Sequence, residues 1–391
     1  MNPITNPYSP GAGTPPPELT GRNEIREQVR IAIERIRIGR ASKSILMIGL
    51  RGVGKTVLLD KMRNDAEASG HYTIRIEAPE QRSLPGILAP QLRQALLKLS
   101  RVEKAKDLAQ RALRGLAGFA KLKAKYEDLE ISLDFSPEPG LADNGDLESD
   151  LQDLMTAIGQ AAKAADSSFI LFIDELQYVP EEQLGHLISA LHKVSQLSLP
   201  LTLVGAGLPQ LTGQMGKAKS YAERLFDFPF IGALGPDDAR AALSVPALKE
   251  GVSFKPEALD YIVKQTQGYP YFLQEWGKHA WDEAKSSPIT LTDCQAASDI
   301  AIAALDASFF RVRFDRLTPS EKKYLRAMAD LGVGPHRSGD IAEKLTRTSQ
   351  SLAPTRAKLI EKGMIWSPNH GDTAFSVPLF DQYMKRIMPS F

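Results

Sequence analysis

A glycine-rich segment that ends in a lysine and a hydroxyl side chain is the part of the sequence best suited to chemistry. It runs from Gly49 through four residues to Gly54, Lys55 and Thr56, the spacing of a P-loop. Glycines let consecutive backbone N–H groups close around phosphate oxygens, and a following helix N-terminus adds a favourable dipole. Lys55 then supplies positive charge for the β- and γ-phosphates, and Thr56 supplies a hydroxyl ligand for Mg²⁺. The segment predicts binding of ATP or a related triphosphate.

The predicted nucleotide-binding residues include the whole loop and the start of the next helix. They are Gly49, Leu50, Arg51, Gly52, Val53, Gly54, Lys55, Thr56 and Val57. An apolar, strand-like run precedes them at 44–48 and a helical pattern follows at 57–68, which is the context that the motif requires. The alternative is a plain turn between a strand and a helix. Arg51 is expected to face solvent.

A second group of functional side chains lies at the end of another apolar run. Residues 169–176 form a buried-strand pattern that ends in two adjacent carboxylates, Asp174 and Glu175. This is a Walker B signature, the usual companion of a P-loop.

Both groups must be positioned by strands, and similar apolar runs recur along the first two thirds of the chain. Candidate strands lie at residues 44–48, 71–78, 169–176, 199–204 and 227–231. Candidate helices lie at 21–40, 57–68, 84–126 and 146–165. Apolar runs that alternate with helices are typical of a parallel sheet covered on both faces. We therefore predict an α/β fold with a three-layer parallel sheet.

The composition is ordinary for a globular protein. Of 391 residues, 43% are hydrophobic and 24% are charged, and the length allows two or three domains. No apolar run approaches the roughly 18 residues of a membrane span, and the first residues lack a signal-peptide pattern, so we expect a cytoplasmic protein without membrane contact. The one cysteine, Cys294, excludes internal disulfides and a cysteine-based zinc site. Mg²⁺ with nucleotide is the only metal expected.

Composition shifts predict four segments. They are a Pro-rich extended arm at 1–20, a P-loop α/β domain at 21–232, a helical lid at 233–310 and a winged helix domain at 311–391. A charged helical insert spans about 98–162: residues 98–125 carry 9 basic and 2 acidic side chains, whereas 126–162 carry 10 acidic and no basic ones. Solvated helix faces explain such runs most simply.

The winged helix prediction rests on three helices followed by a hairpin. Thr318 to Glu321 form a capping box with proline at the first helical position, which predicts a helix at 319–331. A short helix follows at 339–345, and Ser349 is expected to cap a third helix that reaches Lys362. Residues 364–367 and 373–377 then frame a hairpin.

The predicted third helix offers polar side chains suited to double-stranded DNA. Residues 311–391 hold 14 Lys and Arg against 8 Asp and Glu, a balance that favours nucleic acid. Candidate contacts on the helix, at its ends and at the wing tip are Gln350, Ser351, Thr355, Arg356, Lys358, Arg347, Lys362, Asn369 and His370. Winged helices also dock proteins, and this alternative stays open.

Together these motifs resemble AAA+ ATPases of the origin-recognition type, specifically a widespread bacterial group of P-loop ATP-binding proteins. The resemblance covers nearly the whole chain. Besides the P-loop and the Asp-Glu pair, it is carried by residues 6–13, 18–22, 143–148, 173–178, 204–210 and 220–226. It implies a P-loop NTPase of the AAA+ type, followed by the helical lid and the winged helix-turn-helix domain.

The resemblance also implies roles for individual residues. Asp174 would take a Mg²⁺-linked role and Glu175 would activate the attacking water, although a helix cap and a solvated carboxylate are the simpler alternatives. Gly21 and Arg22 match the segment that lies against the adenine, and a helix-capping glycine followed by a solvated arginine is the alternative. Arg224 matches an arginine that reaches the γ-phosphate of a neighbouring subunit, which implies self-association, but pairing with Glu223 or Asp227 would explain it equally well.

Two departures from the family pattern qualify the activity. The strand that ends at 204–207 has no polar side chain to position water, and residues 268–271 replace the usual lid arginine with Gly-Tyr-Pro-Tyr. Hydrolysis is therefore expected to be slow. The sequence favours an ATPase that acts as a nucleotide switch, with ATP and ADP states coupled to DNA binding. The alternative is a regulatory or scaffold protein with a structural nucleotide and a protein-binding winged helix.

Overall fold

The computed structural model describes residues 1–11, 13–78, 83–123, 136–369 and 371–389. These residues form two compact units. The sheet unit comprises Arg22–Gly49 and Lys55–Ile231, and the helical unit comprises Met1–Gly21, Leu50–Gly54 and Gly232–Phe391.

Five parallel strands form the centre of the sheet unit. In chain order they are β1 (Ser44–Ile48), β2 (Tyr72–Glu77), β3 (Phe169–Asp174), β4 (Leu201–Gly207) and β5 (Phe226–Asp227). Their order in space is β2-β3-β4-β1-β5, so the two strands that precede the predicted nucleotide groups, β1 and β3, both pair with β4. Every residue of β1, β3 and β4 is buried, as continuous apolar runs require in a sheet covered on both faces.

Eight helices of the sheet unit surround these strands. They are α1 (Asn23–Arg37), α2 (Lys55–Ala68), α3 (Leu84–Leu99), α4 (Lys106–Lys123), α5 (Leu147–Ala164), α6 (Glu181–Gln196), α7 (Gln210–Ala218) and α8 (Ala222–Leu225). Helices α3 to α6 bury their apolar faces in one large core with alternate strand residues such as Ile74, Leu171 and Leu203. Helices α1 and α2 also contact the strands. The predicted α/β fold with its parallel sheet is confirmed.

Some boundaries differ from the sequence predictions. Helix α2 begins at Lys55 rather than Val57, and β4 continues through Gly205 to Gly207, where glycine lets neighbouring Leu side chains approach closely. The end of the predicted 84–126 helix lies outside the described residues, as does part of the acidic run. Within the described part, the charged runs are partly paired: Arg111 and Arg114 both bond Glu138.

The helical unit contains the remaining helices. Its first part consists of α9 (Pro236–Lys249), α10 (Pro256–Thr266), α11 (Pro270–Glu283) and α12 (Leu291–Leu305). A π-helical turn, Asp306–Phe310, joins α12 to α13 (Arg311–Asp315). Aromatic rings of this turn and of α11 stack on one another, including Tyr271 on Phe309 with centroids 4.7 Å apart.

The C-terminal elements are four helices and three short strands of the described chain. They are α14 (Pro319–Asp330), β6 (His336–Arg337), α15 (Ser338–Lys344), α16 (Ser349–Glu361), β7 (Ile365–Trp366), β8 (Asp372–Phe375) and α17 (Phe380–Ile387). The capping box of Thr318 and Glu321 is confirmed. The predicted cap of the third helix is wrong: Thr348, with extended backbone, accepts from the Ser351 N–H, and Ser349 is already helical. Strand β6, which pairs with β8, was not predicted, because two residues carry no periodic signal.

The Pro-rich N-terminal segment packs within the helical unit. It was predicted as an extended arm, and it contains one 3-10 turn, Pro3–Thr5, which proline at the first position permits. Tyr8 is buried, its ring lies against Gly277 of α11, and its hydroxyl donates to the Leu243 carbonyl. Among the described helices, none is both long and apolar enough to cross a membrane.

Candidate nucleotide-binding site

The predicted phosphate loop connects β1 directly to α2. Gly52 and Gly54 adopt left-handed backbone angles, with φ of +80° and +88°, which other residue types rarely tolerate. The Gly49 N–H donates to the Gly207 carbonyl at 3.1 Å, which fixes the start of the loop against β4. Val53 is buried, and the other loop side chains, Leu50 and Arg51, are partly exposed. The loop therefore has the backbone conformation that a Gly-rich phosphate cradle needs.

Lys55 is the first residue of α2 and its side chain is buried. Its ammonium donates to the Gly49 carbonyl at 2.9 Å, so it folds back over the start of the loop. A buried ammonium at a helix N-terminus favours an anionic ligand, because both the charge and the helix dipole are positive there.

Thr56 and Asp174 meet at the ends of α2 and β3. The Thr56 hydroxyl donates to Asp174 Oδ2 at 2.7 Å. Arg75, on β2, donates to the same oxygen at 3.1 Å and bonds Asp60 of α2 at 2.6 Å. The Asp174 carboxylate is only 1% exposed, so these donors stabilise a charge that water does not reach. Residues from α2, β2 and β3 thus converge on one carboxylate.

This donor set fits Mg²⁺ in part. A hydroxyl and a carboxylate oxygen are the hard ligands that Mg²⁺ prefers, and it completes its octahedron with water and phosphate oxygens. Within the part of the chain that the structure describes, no group of three or more His, Cys, Asp or Glu side chains could hold a metal alone. Thr56 and Asp174 would therefore hold Mg²⁺ together with the nucleotide.

Glu175 leaves the strand in a left-handed conformation, with φ of +53° and ψ of +36°. Such a conformation is uncommon outside glycine and often marks a functional position. The Glu175 N–H donates to Asp174 Oδ1 at 2.9 Å, and its carboxylate accepts a hydrogen bond from the Gln177 amide. Gln177 is buried, and its side-chain oxygen Oε1 accepts a hydrogen bond from the Leu208 N–H at 3.1 Å. The Gln177 amide therefore links Glu175 to the end of β4.

Gln177 and Arg75 are the polar side chains here that the sequence analysis missed. The sequence correctly indicated that β4 ends without a polar side chain of its own. The side-chain oxygen Oε1 of Gln177, however, lies beside that end. Its position two residues after Glu175 was a usable signal. Arg75 could have been noticed as an arginine inside an otherwise apolar strand, where charge needs a partner.

The other predicted binding residues do not all meet at this point. Gly21, with φ of +66°, belongs to the helical unit, where a Cβ would clash with Asp238 of α9. Arg22 belongs to the sheet unit and is the residue before α1. Arg224 lies exposed on the short helix α8. Asp227, one of the two carboxylates suggested as its partner, instead bonds Lys43 at 3.2 Å. A salt bridge to Asp227 therefore does not account for Arg224.

Within the helical unit, the middle of the loop contacts α11. The Tyr271 N–H donates to the Gly52 carbonyl at 3.3 Å, and a Cβ on Gly52 would lie 2.9 Å from the Tyr269 ring. Arg51 is partly buried rather than simply solvent-facing. The Gly-Tyr-Pro-Tyr segment thus packs on the loop itself.

Four of the predicted DNA contacts have hydrogen-bond partners, among them Ser351, whose hydroxyl donates to the Thr348 carbonyl at 2.8 Å, and Asn369, whose amide donates to Asp372 at 3.1 Å. Arg356 donates to the Thr373 hydroxyl, the Ser367 hydroxyl and the Asp372 carbonyl at 2.8–2.9 Å, which ties α16 to the hairpin. Lys362 bonds Glu321 at 2.8 Å. The exposed residues of the set are Arg347, Gln350, Ser351, Lys358 and Asn369. His370 lies outside the described residues.

Comparisons with known proteins agree with the fold. Residues 18–204 match the family described as AAA ATPase domain, and residues 307–384 match a domain of unknown function. A Walker-type ATPase of Pyrococcus abyssi is similar in structure with a TM-score of 0.59, at 17% identity over 95% of this chain and 97% of that one. The Aeropyrum pernix ORC1 protein in complex with DNA aligns at a TM-score of 0.45, with 13% identity and 94% and 93% coverage. The RuvB Holliday junction branch migration motor of Thermotoga maritima aligns at 0.44, with 16% identity and 90% and 92% coverage. No curated protein matches the sequence.

Proposed function

We propose that this chain, whose residues 18–204 match the AAA ATPase domain family, is a Mg²⁺-dependent, slow ATPase. In this proposal the ATP and ADP states act as a switch that changes double-stranded DNA binding by a C-terminal winged helix. The observation that carries the catalytic part is the 2.7 Å hydrogen bond from Thr56 to Asp174, beside a positive-φ glycine loop and the buried Lys55.

In the proposed mechanism, the backbone N–H groups from Gly52 to Thr56 bind the β- and γ-phosphates. Lys55 exchanges its bond to the Gly49 carbonyl for the phosphates and neutralises part of their charge. Mg²⁺, when bound with the nucleotide, would add positive charge at the phosphate oxygens where negative charge develops. Thr56 and Asp174 keep their oxygens at that point because Arg75 and the Glu175 N–H orient the carboxylate.

Glu175 is the proposed base that orients and deprotonates the attacking water. Its carboxylate bonds the Gln177 amide in this conformation, so it must be oriented by, or released from, that contact for reaction. The side-chain oxygen Oε1 of Gln177 already accepts a hydrogen bond from the Leu208 N–H. The Gln177 side chain thus bonds both Glu175 and the Leu208 N–H, so its polar atoms are not free to position the attacking water. This supports the proposal that turnover is slow.

The DNA part of the proposal rests on the C-terminal elements and their charge. The order α14, β6, α15, α16, β7, β8 is compatible with a winged helix, in which α16 would enter the major groove. Arg347, Gln350 and Lys358 are exposed on and beside α16, and residues 311–391 have an excess of six positive charges. The contact of Gly52 with α11 supports coupling, since nucleotide at the loop would act on the helical unit directly.

The test is to measure ATP turnover and DNA affinity on the same protein. Fluorescence anisotropy with a labelled duplex, at fixed salt, compares affinity with ATP, with ADP and without nucleotide. We expect the three affinities to differ, Lys55→Ala to abolish the difference, and Lys61→Ala, an exposed change on the same helix, to preserve it. Equal affinities in all three states would discard the switch.

The alternative of a scaffold protein with a structural nucleotide predicts a different result. Glu175→Gln should stop turnover while ATP stays bound if the chain is an ATPase. If wild-type protein shows no turnover with or without duplex, and Arg347→Ala with Lys358→Ala leaves duplex affinity unchanged, the scaffold alternative is favoured. Lys323→Ala on α14, also exposed, is the matched control for these surface changes.

A further inference from the structure

The π-helical turn Asp306–Phe310 interrupts what is otherwise one continuous helix from Leu291 to Asp315. A π-helical turn contains one residue more than the α-helical turn it replaces; such turns are rare and are frequent at functional sites. The turn can relax to an α-helix only if the chain after it shifts by one residue, a rotation of about 100° and a translation of about 1.5 Å. The turn is therefore a point at which this helix has two discrete registers.

One side chain of the turn, Phe309, connects it to the phosphate loop. The Phe309 ring stacks on the Tyr271 ring, with centroids 4.7 Å apart and planes 23° from parallel. The Tyr271 N–H in turn donates to the Gly52 carbonyl at 3.3 Å. The guanidinium carbon of Arg313 lies 3.8 Å from the centre of the Phe309 ring, which holds the ring from the helix that follows. A displacement of the loop at Gly52 therefore acts on the turn through Tyr271.

The next side chain, Phe310, connects the turn to the C-terminal elements. It is fully buried, and its ring contacts the Phe309 ring edge-on with centroids 5.4 Å apart. On α17, Phe310 stacks on Tyr383 at 5.2 Å and meets Phe380 edge-on at 5.7 Å. Phe380 then lies 5.9 Å from the ring of Phe375 in β8. A continuous series of ring contacts thus runs from α11 to β8, and all of it belongs to the helical unit.

An ion pair attaches the start of the turn to the same helix. Arg386 of α17 donates to both carboxylate oxygens of Asp306, at 2.7 and 2.6 Å, a bidentate contact that fixes orientation as well as distance. Asp306 is the first residue of the turn and Phe310 is the last. Helix α17 is therefore attached at both ends of the turn and also packs on α14. A change of register in the turn must move α17 or break one of these attachments.

We propose that the π-helical turn is the element through which the nucleotide state of the phosphate loop controls the position of α17 and the C-terminal elements. The inference rests on the proposed function, because it names the device that regulates the same site. Packed rings exchange between discrete arrangements rather than sliding, so a displacement at Gly52 reaches α17 as a change of packing. The turn supplies the two-state element that such coupling requires, and contacts from both ends bias it. A turn with a structural role alone would affect stability and leave the response to nucleotide unchanged.

The experiment measures hydrogen–deuterium exchange of the full chain with and without ATP, while calorimetry follows ATP affinity. In wild-type protein, bound ATP should change exchange both at the loop and at α17. Phe309→Leu keeps an apolar side chain but removes the ring. This variant should bind ATP with unchanged affinity and respond at the loop, but its α17 should no longer respond. Phe254→Leu, at another half-buried phenylalanine of the helical unit, is the matched control and should keep both responses.

Duplex affinity gives a second readout of the same variants. The ratio of duplex affinities with ATP and with ADP is expected to lie between about fivefold and a hundredfold in wild-type protein, the usual range for coupled sites. The ratio should approach one in Phe309→Leu, whereas duplex affinity without nucleotide should not change. Melting temperatures show that each variant is folded.

A charge exchange tests the other attachment and decides the matter if Phe309→Leu fails to fold. Asp306→Lys should abolish the response of α17, and adding Arg386→Glu should restore it, because the pair is then reversed rather than lost. Asp315→Lys, which breaks the exposed pair with Arg311 just after the turn, is the control and should preserve the response.

The outcomes separate this inference from the proposed function. If ATP binds but α17 does not respond, or if its response survives both Phe309→Leu and Asp306→Lys, the inference is overturned and the nucleotide site stands. If α17 responds and duplex affinity is equal in all nucleotide states, the DNA switch is discarded and the inference stands. Protein that does not bind ATP would overturn both.

Discussion

Thr56 and Asp174 lie 118 residues apart in the sequence and are joined by a hydrogen bond of 2.7 Å from the threonine hydroxyl to carboxylate Oδ2. The same oxygen accepts a bond from Arg75, and Oδ1 accepts one from the Glu175 N–H. These donors to the buried carboxylate all belong to the sheet unit. The three donors fix the orientation of the carboxylate, as binding of a Mg²⁺-nucleotide complex would need.

Arg75→Met should destabilise the sheet unit. The change leaves Asp174, 1% exposed, without its cationic partner, and removing one member of a buried pair costs up to about 3 kcal/mol. Urea unfolding followed by circular dichroism measures the free energy of unfolding. Arg30→Met, in an exposed pair with Glu27, is the control and should have no measurable effect. Equal effects of the two changes would contradict a supporting role for Arg75.

Gln177→Ala should lower kcat for ATP hydrolysis about tenfold with little change in KM. The Gln177 amide orients the Glu175 carboxylate, and a misplaced catalytic group slows the reaction without weakening ground-state binding. The variant should also lose stability by about 1–3 kcal/mol, because the buried Leu208 N–H loses its acceptor.

The control for this prediction is Gln196→Ala, an exposed change at the end of α6. An increase in kcat would show that Gln177 restrains Glu175 rather than orients it.

Glu321→Gln should destabilise the chain at neutral pH but not in acid. Burial opposes ionisation of Glu321, but bonds from Lys362 and the Thr318 N–H outweigh it and hold its pKa below the ordinary 4.5. Because the pKa is lower in the folded than in the unfolded chain, the carboxylate stabilises the fold above the unfolded pKa. That contribution is lost as pH falls through the folded pKa.

At pH 7 the expected loss is about 2 kcal/mol, typical of a hydrogen bond to a charged group. Thermal unfolding of variant and wild type between neutral pH and pH 3 would show the difference shrinking below pH 4.5. Glu361→Gln, on the exposed end of α16, should give no such trend. A difference that persists unchanged in acid would point to packing rather than charge.

Arg224 should act between subunits. If its exposed guanidinium reaches the phosphates of a neighbouring chain, wild-type specific activity should rise with protein concentration, and Arg224→Ala should lower kcat about a thousandfold. Mixing Arg224→Ala with Glu175→Gln, each inactive alone, should restore part of the activity. Lys217→Ala on α7 is the exposed control. Flat specific activity and no recovery on mixing would exclude the role.

The sequence predicted the features that depend on residues close together in the chain. The P-loop spacing, the Walker B run and the capping box at Thr318 depend on neighbouring residues, and the corresponding elements formed where expected. The order of strands could not be read, because placing β4 between β1 and β3 depends on packing between distant segments. The contacts of Arg75 and Gln177 could not be read either, since they form only when β2, β3 and β4 lie side by side.

Two smaller errors have local causes. Thr348 and Ser349 are both good caps, and only the backbone angles show which of the two stands outside the helix. The helix also continues through Pro354. Strand β6 was missed because its two residues, His336 and Arg337, have no strand propensity and form a strand only through β8.

The docking of Tyr8 on Gly277 has a practical meaning for anyone preparing this protein. Proline-rich N-terminal residues are often deleted before crystallisation. Here deletion would remove the buried Tyr8 ring and leave a cavity beside Gly277 of α11. Shortened versions should therefore melt at a lower temperature and aggregate more.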